Sequence, residues 1–200
     1  MKKAVLVLVA MALVPCCALA VDGVVLINSS TVMAAGDFPY IVSQPGSYKL
    51  SGNLTPPVNT NAINITASFV TLDLGGFTVS CSADLNQVVN CITDTASITN
   101  LAILNGSIKI VQPLTNPVIP TITITGINIG SGIVMVNDVS VLAHHINATA
   151  LAVGFQSLVR HNIVTGILRV GNASLIVENL TNGGGQIVTG PNSKLVNNIP

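Results

Sequence analysis

Near its C-terminal end the chain repeats itself three times. Gly154-Phe155-Gln156-Ser157-Leu158-Val159-Arg160-His161-Asn162 returns as Gly171-Asn172-Ala173-Ser174-Leu175-Ile176-Val177-Glu178-Asn179. It returns again as Gly190-Pro191-Asn192-Ser193-Lys194-Leu195-Val196-Asn197-Asn198. The shared pattern is G-x-x-S-x-(V/I/L)-x-x-N, with the glycines 17 and then 19 residues apart. A period near twenty, marked by a glycine, an apolar residue and an asparagine, is the signature of short coils stacked into a solenoid. One such coil cannot bury its apolar side alone; its neighbours do that.

The rest of the chain fits the same plan. Short β-branched runs alternate with Gly, Asn, Pro and Ser, and no run reads as an amphipathic helix. Val24 to Ile27, Tyr40 to Val42 and Ser47 to Leu50 read as entry strands, closed by Pro56-Pro57. Strand patterns follow at Ala62–Ile65, Val70–Leu74, Phe77–Val79, Cys91-Ile92, Ser97–Thr99, Leu101–Leu104, Ile108–Ile110, Thr121–Thr125 and Ile133–Val136. Gln112 to Pro120 carries three prolines and reads as a surface loop. The expected fold is all-β: a right-handed parallel β-helix of roughly six to seven coils, each of roughly 17–25 residues. Val159, Ile176 and Leu195 should stack inward as one apolar column. Asn162, Asn179 and Asn198 should form a ladder at a bend, their amides bonding to one another and to backbone, with the asparagines taking left-handed backbone angles. A left-handed β-helix is the rival, since Val170 to Leu175 fits a hexapeptide unit, but the coils do not divide into three successive hexapeptides.

The N-terminus has its own logic. Met1-Lys2-Lys3, an apolar run from Ala4 to Val14 and Ala18-Leu19-Ala20 make a secretory signal peptide over residues 1–20, too short for a comfortable membrane span. Cys16 and Cys17 leave lipidation open as a minor alternative. The remainder divides into an entry or capping segment, 21–57, and the β-helix, 58–200. Loss of Lys2 and Lys3 takes the formal charge from zero to −2, which excludes the basic excess of a nucleic-acid binder. Only 7% of the residues are charged, so surface polarity rests on Asn, Thr, Ser and Gln. Export also makes a disulfide between Cys81 and Cys91 plausible.

A family resemblance runs through the first coils. Val24-Val25-Leu26-Ile27-Asn28, Gly36-Asp37-Phe38-Pro39-Tyr40-Ile41-Val42, Gln44-Pro45-Gly46-Ser47-Tyr48-Lys49-Leu50, and then Val70-Thr71-Leu72-Asp73-Leu74-Gly75-Gly76-Phe77-Thr78-Val79 resemble exported bacterial right-handed parallel β-helix repeat proteins. Asn105-Gly106-Ser107-Ile108 fits the same group. The resemblance implies a pectin-lyase-like fold and assigns no activity.

Enzymes of that fold which cut acidic polysaccharides cluster carboxylates on one face. Here Asp22, Asp37, Asp73, Asp84, Asp94, Asp138 and Glu178 are scattered singly. Arg160, His161 and Glu178 form the best polar cluster, because His161 and Glu178 hold equivalent places in successive repeats. They read as a glycan contact or as an exposed ion pair, and Asp138 has a weaker claim to join them. His144-His145 lacks metal-site geometry, and Gly183-Gly184-Gly185 lacks what a phosphate loop needs. No catalytic constellation, metal site or cofactor is expected. The first expectation is therefore a secreted, non-enzymatic protein that binds polysaccharide or serves structurally. Two alternatives stand beside it: a polysaccharide lyase or hydrolase, and a protein that assembles end to end through uncapped coils.

Overall fold

The structure is a computed structural model. It describes residues 23–84, 87–111, 123–130, 134–143, 149–182 and 185–200, with backbone alone at 123, 124, 142, 143 and 149. The expected signal peptide with Cys16 and Cys17, the loop Gln112 to Pro120, Thr121-Ile122, His144-His145 and Gly183-Gly184 lie outside the described residues.

The chain winds into a parallel β-helix with three faces. Face 1 contains β1 (Val24–Ile27), β3 (Gly46–Leu50), β5 (Val70–Asp73), the first parts of β8 (Leu101–Val111) and β10 (Val134–Ala143), then β12 (Leu158–Arg160), β15 (Leu175–Val177) and β18 (Lys194–Val196). Face 2 contains β6 (Thr78–Ser82), the second parts of β8 and β10, β13 (Ile163–Thr165) and β16 (Leu180–Asn182). Face 3 runs through β2 (Tyr40–Val42), β4 (Ile63–Ile65), β7 (Val88–Asp94), β9 (Thr123–Ile129), β11 (Thr149–Val153), β14 (Ile167–Val170) and β17 (Ile187–Thr189). Every ladder is parallel and joins strands one coil apart. The eight strands along face 1 mark seven turns of the coil. Parallel crossovers favour the right-handed sense, and the unequal coils do not match a hexapeptide repeat. One coil, from Ser68 to Thr99, takes 31 residues, beyond the expected range, while the coil from Asn162 to Asn179 takes 17.

Alternation along each strand builds the interior. Tyr48, Leu72, Ile103, Val136, Val159 and Ile176 stand in register on face 1 and are buried. Leu195 continues that column but is 49% exposed. Each fully buried aliphatic side chain contributes about 1.5–3 kcal/mol relative to exposure, so the column is a main source of stability. Neighbouring strands lie about 4.8 Å apart, and this closeness fixes the glycines of the repeat. A Cβ on Gly171 would stand 2.7 Å from the Gly154 carbonyl carbon, and one on Gly190 would meet the Asn172 backbone nitrogen at 2.8 Å. Close stacking, rather than a left-handed bend, is what requires Gly171 and Gly190.

The structure departs from expectation at three local points. A short helix, α1 (Ser29–Ala34), follows β1, although no periodic run announces it. Asn28 and Thr31 form a reciprocal capping box, and Val32 is buried, so side-chain capping and one apolar anchor suffice for six residues. Ser97–Thr99 forms no strand, although Ile98 is buried there. Asn105-Gly106, expected to interrupt, lies inside the continuous β8, which turns the corner from face 1 to face 2. Strands β1, β2 and β3, within the stretch read as an entry segment, pair in the same sheets as the rest.

Cys81 on β6 and Cys91 on β7 form a disulfide, with Cα atoms 5.7 Å apart and both side chains buried. The bond ties face 2 to face 3 through the interior.

Candidate functional site

The face 1–face 2 corner carries the polar residues singled out in the sequence. One residue per coil there has a left-handed backbone: Asn105 (φ +55), Asp138 (+55), His161 (+53), Glu178 (+52) and Asn197 (+49). Asn162, Asn179 and Asn198 come directly after this column and do not share its left-handed angles. The expected left-handed angle thus falls one residue early, and each asparagine turns inward. Asn162 and Asn179 are 1% exposed. Asn179 Oδ1 accepts from the Asn162 backbone N–H (3.1 Å) and the Asn162 amide (2.9 Å). Asn179 Nδ2 donates to Val159 O (2.9 Å), Val177 O (3.0 Å) and Asn198 Oδ1 (2.9 Å). Asn162 Oδ1 in turn accepts from the Val139 N–H at 3.0 Å. The ladder satisfies backbone groups that a corner would otherwise leave buried and unpaired.

A second ladder accompanies it at the face 3–face 1 corner. Ser174 Oγ accepts from the Ser157 N–H (3.0 Å), and Ser193 Oγ accepts from the Ser174 N–H (3.2 Å). The serine of the repeat was visible in the sequence without a role; its fixed place in all three copies is the signal that it stacks.

The side chains of the left-handed column point out of the corner as a ridge. His161 Nε2 lies 2.7 Å from Glu178 Oε2, and His161 Nδ1 lies 3.6 Å from Asp138 Oδ1. The side chains of all three are 42–50% exposed. Asp138 also bonds with the Asn137 amide, and Arg160 Nε donates to Asn137 Oδ1 at 2.8 Å. Arg160, His161 and Glu178 are therefore joined, through Asn137 and Asp138, in one connected strip over three coils. Exposed pairs of this kind are worth about 0–1 kcal/mol each, so the fold does not depend on them.

Further along the same corner Asp73 plays a structural part. Burial works against its charged form, but the Gly75 N–H, the Asn105 amide and Lys49 outweigh it and hold the carboxylate pKa below its usual value. The contacts are 2.8 Å from Gly75 N, 3.2 Å from Asn105 Nδ2 and 3.3 Å from Lys49 Nζ.

Beside the ridge, on the outside of face 1, lies a shallow open groove of about 690 Å³. Its floor is a row of outward side chains in register, Ala102, Met135, Leu158 and Leu175, with Asn100 and Gln156 on one wall. Sequence reasoning missed the groove because it depends on which residues of different coils share a register. Among the described residues no group of three or more His, Cys, Asp or Glu is arranged to hold a metal ion, and no helix is long and apolar enough to cross a membrane.

Comparison with protein-family models, with curated proteins and with solved structures found no match. The chain is a parallel β-solenoid with a buried asparagine ladder and a disulfide, and its fold is established by its own geometry.

Proposed function

We propose that the chain is an exported β-helix protein of the pectin-lyase-like kind, which binds polysaccharide along its side and does no chemistry on it. The observation that carries this reading is the connected strip Arg160–Asn137–Asp138–His161–Glu178 running beside the open groove on face 1. The strip offers donors and acceptors in a line along the helix axis, and the groove offers apolar contact. An extended polymer of hydroxylated rings uses both. Export is supported by the basic and apolar N-terminus and by the Cys81–Cys91 disulfide.

The ridge is poorly arranged for catalysis. His161 stands between the two carboxylates with both ring nitrogens engaged, on an open corner where water has free access. A second reading, sugar cleavage, is favoured by one feature, the placing of an imidazole between two acids.

Binding of the purified chain to an array of polysaccharides tests the proposal. Retention that weakens in Arg160→Ala and Glu178→Gln supports it, and an array with no retained glycan overturns it. Release of reducing ends that is lost in Glu178→Gln would replace it with the cleavage reading.

A further inference from the structure

At the face 3–face 1 corner, left-handed backbone again falls on one residue per coil: Phe69 (φ +60), Asn100 (+56), Gln156 (+54), Ala173 (+53) and Asn192 (+60). Phe69 is held there by coil pairing, its N–H donating to Thr99 O and its carbonyl accepting from the Gly46 N–H, both at 3.0 Å. Left-handed angles suit Asn and Gly and penalise a bulky side chain. Phe69 gains little burial in exchange, since it is 65% exposed. Among the described residues it is the one Phe, Tyr or Trp at a positive φ. The fold therefore bears two costs at Phe69, strain and a largely exposed apolar ring that lies outside the core cluster. Strained residues that packing does not explain point to function.

The position of Phe69 says which function. It stands one rung from Asn100, a groove-lining residue, in the same corner column. Phe155, 52% exposed, directly precedes Gln156 on the groove wall. None of the residues lining the groove is ionisable. We infer that Phe69 and Phe155 are stacking platforms at the edge of this groove, and that its ligand is an uncharged polysaccharide. The C–H faces of its sugar rings would lie on the two aromatic rings, and its hydroxyls would meet the Asn100 and Gln156 amides. This inference rests on the polysaccharide reading and narrows it to neutral polymers that the groove grips beside the polar strip.

The test uses soluble β-glucan, mannan and dextran as probes, with polygalacturonate as the charged comparison, and the full chain as Phe69→Asn and as Phe155→Ser. Affinity for a neutral probe should fall by about three- to tenfold in each variant. The melting temperature of Phe69→Asn should stay level or rise, because Asn suits the left-handed angle. A melting temperature that falls would make the ring structural and overturn the inference, as would unchanged affinity in both variants. Binding that depends on Arg160 and Glu178 but on neither phenylalanine would remove this inference and leave the broader reading standing. Absence of binding to all four polymers would remove both.

Discussion

The same corner is built in two ways in two parts of this molecule. In the last coils an asparagine per coil, buried at Asn162 and Asn179 and half-buried at Asn198, satisfies the backbone, and the coils take 17 and then 19 residues. In the preceding coils the equivalent register positions are Gly106 and Val139. There Leu74 packs so closely that a Cβ on Gly106 would lie 2.2 Å from its own Cβ. Polar bonding moves to the outside, to Asp73, Asn105 and Lys49, and a disulfide crosses the interior. A corner can thus be held by a buried amide, which demands one residue type at one spacing, or by apolar packing, which tolerates long and unequal coils. The first solution leaves a visible repeat and the second does not.

Removing one rung of the ladder should have the largest effect. Asn179→Ala leaves the buried Asn162 N–H without its acceptor and breaks the amide's bonds to the Val159 carbonyl and to Asn198, at a cost of about 2–3 kcal/mol. Equilibrium urea unfolding measures it. A loss below about 1 kcal/mol would mean that the ladder accompanies the corner without holding it, and the contrast between the two regions would collapse.

The matching probe of the earlier region is Cys81→Ala with Cys91→Ala. The bond joins residues ten apart, and by loop-closure entropy its loss should cost about 2–3 kcal/mol. Hydrogen exchange should show the loosening in β6 and β7 and spare β15 to β18, because solenoid coils interact mainly with their neighbours. Uniform loosening would show that the two regions melt as one unit.

The smallest effect has the opposite sign. Thr181 on β16 is buried, and its hydroxyl has no hydrogen-bond partner among the described residues. Its register neighbour is Val164. Thr181→Val should stabilise the regular region by about 1 kcal/mol by removing an unpaired buried polar atom, seen as a rise in the urea midpoint. No change, or a fall, would show that the hydroxyl contributes to the ladder region after all.

Legibility in the sequence followed the same division. The repeat of Gly, Ser and Asn announced the stacked coils, the inward column through Val159 and Ile176, and the amide ladder. His161 and Glu178 came together as their equivalent places required. The helix α1 was not legible, because a capping box and a single buried valine leave no period. Nor was the length of the coil from Ser68 to Thr99, since an apolar corner imposes no fixed residue count.

The amino-acid sequence alone determined that short parallel strands would stack, because spacing near twenty residues with inward aliphatics leaves no other way to bury them. It also determined the pairing partners in the last three coils, where each amide needs its counterpart. The tertiary structure decided which residue at each corner turns left-handed and which outward side chains of different coils share a groove. Both depend on register, and register is set jointly by all the coils, so a one-residue shift in any of them would send each side chain to the opposite face.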